Sequence, residues 1–201
     1  MSNILVLNSS LSGEASVSRL LVADAVTELT QRDPNATLVF RDLAANPIPH
    51  LHPDGYAGVR AQATTPAELA ARALSDELIA ELFAADTIVI GAPMYNFSIP
   101  STLRTWFDHV LRPGVTFGYS EAGPKGLVTG KRVIIVESRG GLYSEGPAQA
   151  LDVQEPYLRQ LFGFMGVTDV TFVRAEKIAF GPDARDQALT ESRAVLAKLG
   201  A

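Results

Sequence analysis

Apolar positions along this chain switch between two patterns. Ile4-Leu5-Val6-Leu7 is an unbroken apolar run, the mark of a strand buried on both faces of a sheet. Leu21, Val22, Ala25, Val26 and Leu29 then recur at helical spacing. Thr37-Leu38-Val39-Phe40 predicts a second strand. Thr65-Pro66-Ala67-Glu68 predicts a helix start, with Thr65 as N-cap, Pro66 at the first helical position and Glu68 closing a capping box. Leu74, Leu78, Ile79 and Leu82 supply that helix's buried stripe. A third strand is predicted at Thr87 to Ile90, a helix from Ser101 to Leu111, and a fourth strand at Val133 to Val136. Leu158, Leu161, Phe162 and Met165 form another helical face, Val170 to Val173 a fifth strand, and Asp183 to Leu199 a closing helix. Strands alternating with helices predict an α/β fold: a doubly wound, five-stranded parallel sheet with right-handed crossovers and helices on both faces.

Ligands on such a sheet bind beyond the carboxyl ends of the strands, where strand order reverses. For the order 2-1-3-4-5 that point lies between the first and third strands. The residues expected there are Asn8-Ser9-Ser10 and Gly91 to Phe97, with Ser138-Arg139-Gly140-Gly141 on the same edge. Two connections are long. Leu43 to Thr65 carries Pro47, Pro49, Pro53, His50 and His52. Arg112 to Lys131 holds Val115 to Tyr119 and then Gly123-Pro124-Lys125-Gly126, a hairpin-like excursion after the third strand's helix. No repeat or linker divides residues 1–201, which are expected to form one domain.

The loop Met94-Tyr95-Asn96-Phe97, bounded by Pro93 and Pro100, is poor core material. Its main chain offers alternating N–H and C=O groups to a flat polar ring, Tyr95 and Phe97 offer apolar walls, and Asn96 an amide donor. Ser10, Ser12, Ser16 and Ser18 surround the start of the first helix, where hydroxyls and free N–H groups suit a phosphate. A Ser-rich turn capped by Ser16 accounts for that stretch equally well. Gly140 and Gly141 permit close backbone approach, or simply a tight turn. Neither a Walker A nor a GxGxxG pattern is present. Three such loops on one edge point to an aromatic phosphate ester, with flavin mononucleotide (FMN) the best candidate.

Composition narrows the classes. A net charge of −5 argues against a nucleic-acid surface, and no apolar run is long enough to span a membrane. The absence of cysteine removes disulfides, thiolate nucleophiles and Cys-ligated metals. His50 and His52 lack a third ligand, so no metal is expected, and His109 sits on a helix beside Trp106 and Phe107. No catalytic acid, base or triad is assigned. A soluble cytoplasmic protein is expected.

Several segments together resemble the FMN-dependent NADH:azoreductases of the flavodoxin-like quinone-reductase group: Leu5 to Ser10, Arg41 to Pro49, Leu74 to Leu82, Ala92 to Phe97, Gly126 to Lys131 and Ser138 to Gly141. The resemblance covers nearly the whole chain. It implies a flavodoxin-like fold, FMN as cofactor and NADH as electron donor. Quinones, azo compounds or nitroaromatics would be reduced by two electrons with ping-pong kinetics. It maps phosphate binding to Ser10, Ser16, Val17 and Ser18, and isoalloxazine contacts to Met94, Tyr95, Asn96, Phe97, Ser138, Arg139, Gly140 and Gly141. It also implies a homodimer, with Tyr119, Phe164 and Arg60 contributing to the substrate pocket. The segment Trp106 to Leu111 departs from some azoreductases toward other quinone reductases. A flavodoxin-type one-electron carrier is the alternative; such carriers are usually more acidic and lack the hairpin.

Overall fold

The computed structural model describes residues 2–121 and 123–199. Strands β1 (Asn3–Asn8), β2 (Thr37–Asp42) and β3 (Thr87–Pro93) come first; β4 (Phe117–Ser120) and β5 (Gly123–Gly126) form a small hairpin; β6 (Arg132–Ser138) and β7 (Asp169–Ala175) complete the set. The main sheet is parallel and five-stranded, in the order β2-β1-β3-β6-β7. Counting only its own strands, that is the expected 2-1-3-4-5.

Alternation along the strands divides the core. Leu5 and Leu7 of β1 join Ile88 and Ile90 of β3 beneath α3 (Pro66–Ala84), α4 (Ser101–Val110) and α5 (Gln154–Met165). Ile4 and Val6 face the other way, with Val89, Ile134 and Val136, onto α1 (Val17–Arg32) and α6 (Pro182–Leu196). Apolar residues at successive strand positions are therefore needed on both layers, which is why these strands read as continuous hydrophobic runs.

Local signals explain the helix starts. Ser16 caps α1 by accepting from Arg19 N, and Thr65 and Glu68 form the expected capping box on α3. One element departs from expectation. Part of the Pro-rich connection folds as α2 (Pro53–Arg60), with His52 as N-cap and Pro53 in the first turn. Two turns are too few for an apolar period to stand out, and contact with α3 stabilises them. A Cβ on Gly58 would lie 2.1 Å from Glu68 O, so the two helices approach backbone to backbone. The antiparallel β4–β5 pair is the expected excursion. It packs on the end of α5, where a Cβ on Gly126 would lie 2.1 Å from Gly166 N. Among the described residues, no helix is long and apolar enough to cross a membrane.

Candidate functional site: a cleft at the switch in strand order

The three polar loops converge. Ser9 Oγ donates to Gly91 O at 2.6 Å, joining the end of β1 to that of β3. The Tyr95 hydroxyl accepts from Leu11 N at 3.0 Å and lies 3.5 Å from Ser10 Oγ. Across the other side of β3, Pro93 stands opposite Ser138, and Met94 N donates to Ser138 O at 2.9 Å. Between them opens a cleft of about 210 Å³ bordered by Ser10, Ser16, Met94, Tyr95, Ser138 and Gly140.

Its first wall is the start of α1. Ser16 and Ser18 are buried, with their hydroxyl oxygens 3.1 Å apart. The N–H groups of Val17 and Ser18 have no acceptor within the helix, as for any first turn. The helix dipole adds positive potential at that point. Hydroxyls and N–H groups gathered there match the chemistry of a phosphate. The capping account of Ser16 and the binding account are compatible, because its hydroxyl can cap Arg19 N while facing the cleft.

The second wall, Met94 and Tyr95, leads into a strained turn. Asn96 (φ 50°) and Phe97 (φ 69°) both lie in the left-handed region. Tyr95 and Ser98 exchange N–H···O bonds of 2.9 and 3.1 Å across them, closing a two-residue turn. Asn tolerates this backbone, but Phe disfavours it by roughly 1–2 kcal/mol. Phe97 is nonetheless 44% exposed, so burial of its ring does not explain the strain. The turn is braced from outside: Val153 N donates to Phe97 O at 3.1 Å, and Tyr143 meets the Phe97 ring edge-on at 6.1 Å.

The third wall contains a difference from the resemblance. Ser138 and Gly140 border the cleft, but the Arg139 side chain turns inward and is fully buried among carboxylates. Only the main chain of Arg139 remains for a ring. Glu137, behind it, is pushed up to about 8 by burial, which outweighs the attraction of Arg139 2.7 Å away.

Other expected residues lie elsewhere within one chain. Tyr119 is 76% exposed on β4 and meets Phe117, whose ring packs 4.6 Å from Phe164. Phe164 is at the end of α5 and Arg60 donates to Leu111 O and Asp108 O, at the end of α4. These helices run back from the loop edge, so the three residues lie away from their own chain's cleft. His109 is buried, with Nε2 3.0 Å from Pro49 O, and burial lowers its pKa. His50 and His52 border a separate, largely apolar cavity of about 420 Å³. No three His, Cys, Asp or Glu among the described residues are placed to hold a metal.

Arg185, near the start of α6, borders the cleft and was not foreseen. Its only signal in the sequence is a cation in a helix's first turn, where cations are disfavoured.

An open parallel α/β sheet in the order 2-1-3-4-5, with a polar cleft at its reversal of strand order, is the flavodoxin-like arrangement. The family model described as flavodoxin-like fold matches residues 2–199, and the chain belongs to that family, alongside FMN-dependent NADH:quinone oxidoreductases and azoreductases. It is 61% identical to the FMN-dependent NADH:quinone oxidoreductase of Hyphomonas neptunium (strain ATCC 15444), over 99% of this chain and 96% of the relative. Identity to the protein of that name from Ralstonia nicotianae is 52%, over 96% and 94%. Among solved structures, an azoreductase from Bacillus anthracis str. Sterne superposes with a TM-score of 0.90 at 30% identity, covering 99% of this chain and 98% of that one.

Proposed function

We propose that this protein is an FMN-dependent oxidoreductase that uses NADH to reduce quinones and azo compounds by two electrons. The strained Asn96–Phe97 turn at the switch point carries this reading: a Phe in left-handed backbone whose ring is 44% exposed, outside the core, is the kind of strain kept for a ligand. The relatives' names agree with it and disfavour a one-electron carrier.

The cleft suits the cofactor on its own chemistry. Ser16 and Val17, which border the cleft with Ser10, would hold the phosphate together with the N–H groups of the helix start and the hydroxyl of Ser18, which is buried 3.1 Å from that of Ser16. Met94 to Phe97 would present backbone donors and acceptors to the ring's polar edge, and Ser138, Gly140 and Gly141 would approach it through main chain. Bound FMN would supply the two-electron, hydride-accepting centre; the protein positions it and shapes its surroundings. Tyr95 ties the phosphate side of the cleft to the ring side, so the two halves of the cofactor are held in one register. Phe97 and Tyr143 would bound an apolar slot that excludes water and accepts flat molecules with little discrimination.

The single opening would serve donor and acceptor in turn. A homodimer working in the cytoplasm is part of the proposal: Tyr119, Phe164 and Arg60 lie too far from their own cleft to serve it, and would line the cleft of a second copy. The test is kinetic. Initial rates with NADH and a benzoquinone varied together should give parallel reciprocal lines, and intersecting lines would refute the shared opening. Chain mass in solution should correspond to two copies.

A further inference from the structure

Arg139 has a side chain with 0% exposure. A guanidinium keeps its charge in a protein interior, so it must be compensated there. Three segments supply partners. Glu137 Oε2 accepts from Nη2 at 2.7 Å, from the end of β6 itself. Asp152 Oδ2 lies 3.0 Å from Nη1, and Gln154 Oε1 accepts from Nε at 3.2 Å, both at the start of α5. Glu176 Oε1, just after β7, accepts from Nη1 at 3.3 Å.

Those partners continue to the backbone around the cleft. Gln154 Nε2 donates to Ala92 O at 2.8 Å, two residues before Met94. Its neighbour Val153 donates to Phe97 O. Glu176 accepts from Tyr143 N at 2.8 Å, from Ser144 N at 3.0 Å and from the Ser144 hydroxyl, fixing the chain that follows Gly141. Lys177 N, adjacent to Glu176, donates to Gly141 O at 2.9 Å. The hydrogen bonds of the guanidinium lead toward the loops after β3 and β6, and a longer ion pair of 3.9 Å reaches Glu155 on α5. None goes to Ser10, Ser16 or Ser18.

We propose that Arg139 is a positioning residue, the buried cation that braces the two loops flanking the ring of the cofactor, its side chain making no contact with that ring. The inference rests on the FMN reading above. It assigns the two halves of the cleft to separate supports: the serine-lined half to the α1 N-terminus, the ring-binding half to the Arg139 network.

The test uses Arg139→Met, Gln154→Met and Glu176→Gln in the full chain. Amide hydrogen exchange is measured without flavin, and affinities for FMN and riboflavin are measured by titration. In R139M, exchange should rise in segments 92–98 and 139–144 and stay unchanged in 9–19. Affinity for both flavins should fall by the same factor, about tenfold or more, because the phosphate-binding half is untouched. Q154M should loosen 92–98 and E176Q 139–144, each with a smaller loss of affinity. Unchanged exchange in all three variants would overturn the proposal. So would a loss confined to R139M with Q154M and E176Q silent, which would mark a direct contact. If R139M does not fold, the other two decide by the same criterion. Failure of the unmodified protein to bind either flavin would sink the FMN reading alone, since the exchange pattern is read without flavin.

Discussion

Replacing Ser18 by Ala separates ligand binding from folding at the start of α1. Ser18 is fully buried, and its hydroxyl lies 3.1 Å from that of Ser16. Ala is at least as good a helix former, and the removed oxygen supports no backbone group. Stability of the flavin-free protein should therefore fall by no more than about 1 kcal/mol, the worth of the one hydrogen bond to Ser16 Oγ. One hydrogen bond to a charged phosphate is worth about 1.5–3 kcal/mol, so FMN should bind roughly 10- to 150-fold more weakly. Riboflavin lacks the phosphate and should bind as before. Ser16→Ala makes the contrast, because Ser16 also accepts from Arg19 N at 3.1 Å. Loss of that cap should cost about 1 kcal/mol and lower Tm by about 2–4 °C, in addition to the weaker FMN binding. The assay is titration of flavin-free protein with FMN and with riboflavin, followed by quenching of flavin fluorescence, alongside thermal melts. An unchanged FMN-to-riboflavin preference in S18A would refute the placement of the phosphate at this helix start.

Other consequences are equally direct. Arg185 borders the cleft with its ion-pair partner Asp186 at 3.8 Å, so Arg185→Gln should weaken FMN several-fold at low salt and by less at high salt; a salt-independent effect would exclude a charge role. In Gly126→Ala the new methyl carbon would meet Gly166 N at 2.1 Å, lifting the β4–β5 hairpin. Melting temperature should fall, and the mass of the proposed dimer, read by light scattering beside the parent, should be lost. Glu137, pushed up to about 8 from an ordinary 4.5, keeps a proton in the folded chain that the unfolded chain has released. Its contribution to stability is whole below the ordinary value and declines as pH rises toward 8, by at most about 1.4 kcal/mol per pH unit. Glu137→Gln should flatten that part of the slope in denaturant titrations between pH 5 and 9; an unaltered slope would show that another group sets it.

Much of the architecture was legible because local rules and tertiary demand coincide. A strand covered on both faces must be apolar at every position, so Ile4 to Leu7, Thr87 to Ile90 and Val133 to Val136 stand out without any partner in view. Caps act within four residues, and Ser16 and Thr65 perform as their neighbours in sequence require. Helix α2 was less visible, since much of its support comes from α3 through the glycine at position 58 rather than from its own two turns.

The primary structure by itself determined the alternation of strands and helices, the edge on which three polar loops would gather, and the residue types offered to a phosphate and a flat ring. Only the tertiary structure decided where side chains point. Arg139 reads as a loop residue beside two glycines, yet the carboxylates of Asp152 and Glu176 draw its charge inward, where Glu137 also accepts from it. Arg185, far along the chain, comes to the cleft because β7 and α6 fold back beside α1. Tyr119 and Phe164 are carried to the opposite end by the direction of α4 and α5. Periodicity and capping depend on neighbours in sequence, whereas the balance of a buried charge depends on segments that meet only after the chain has folded.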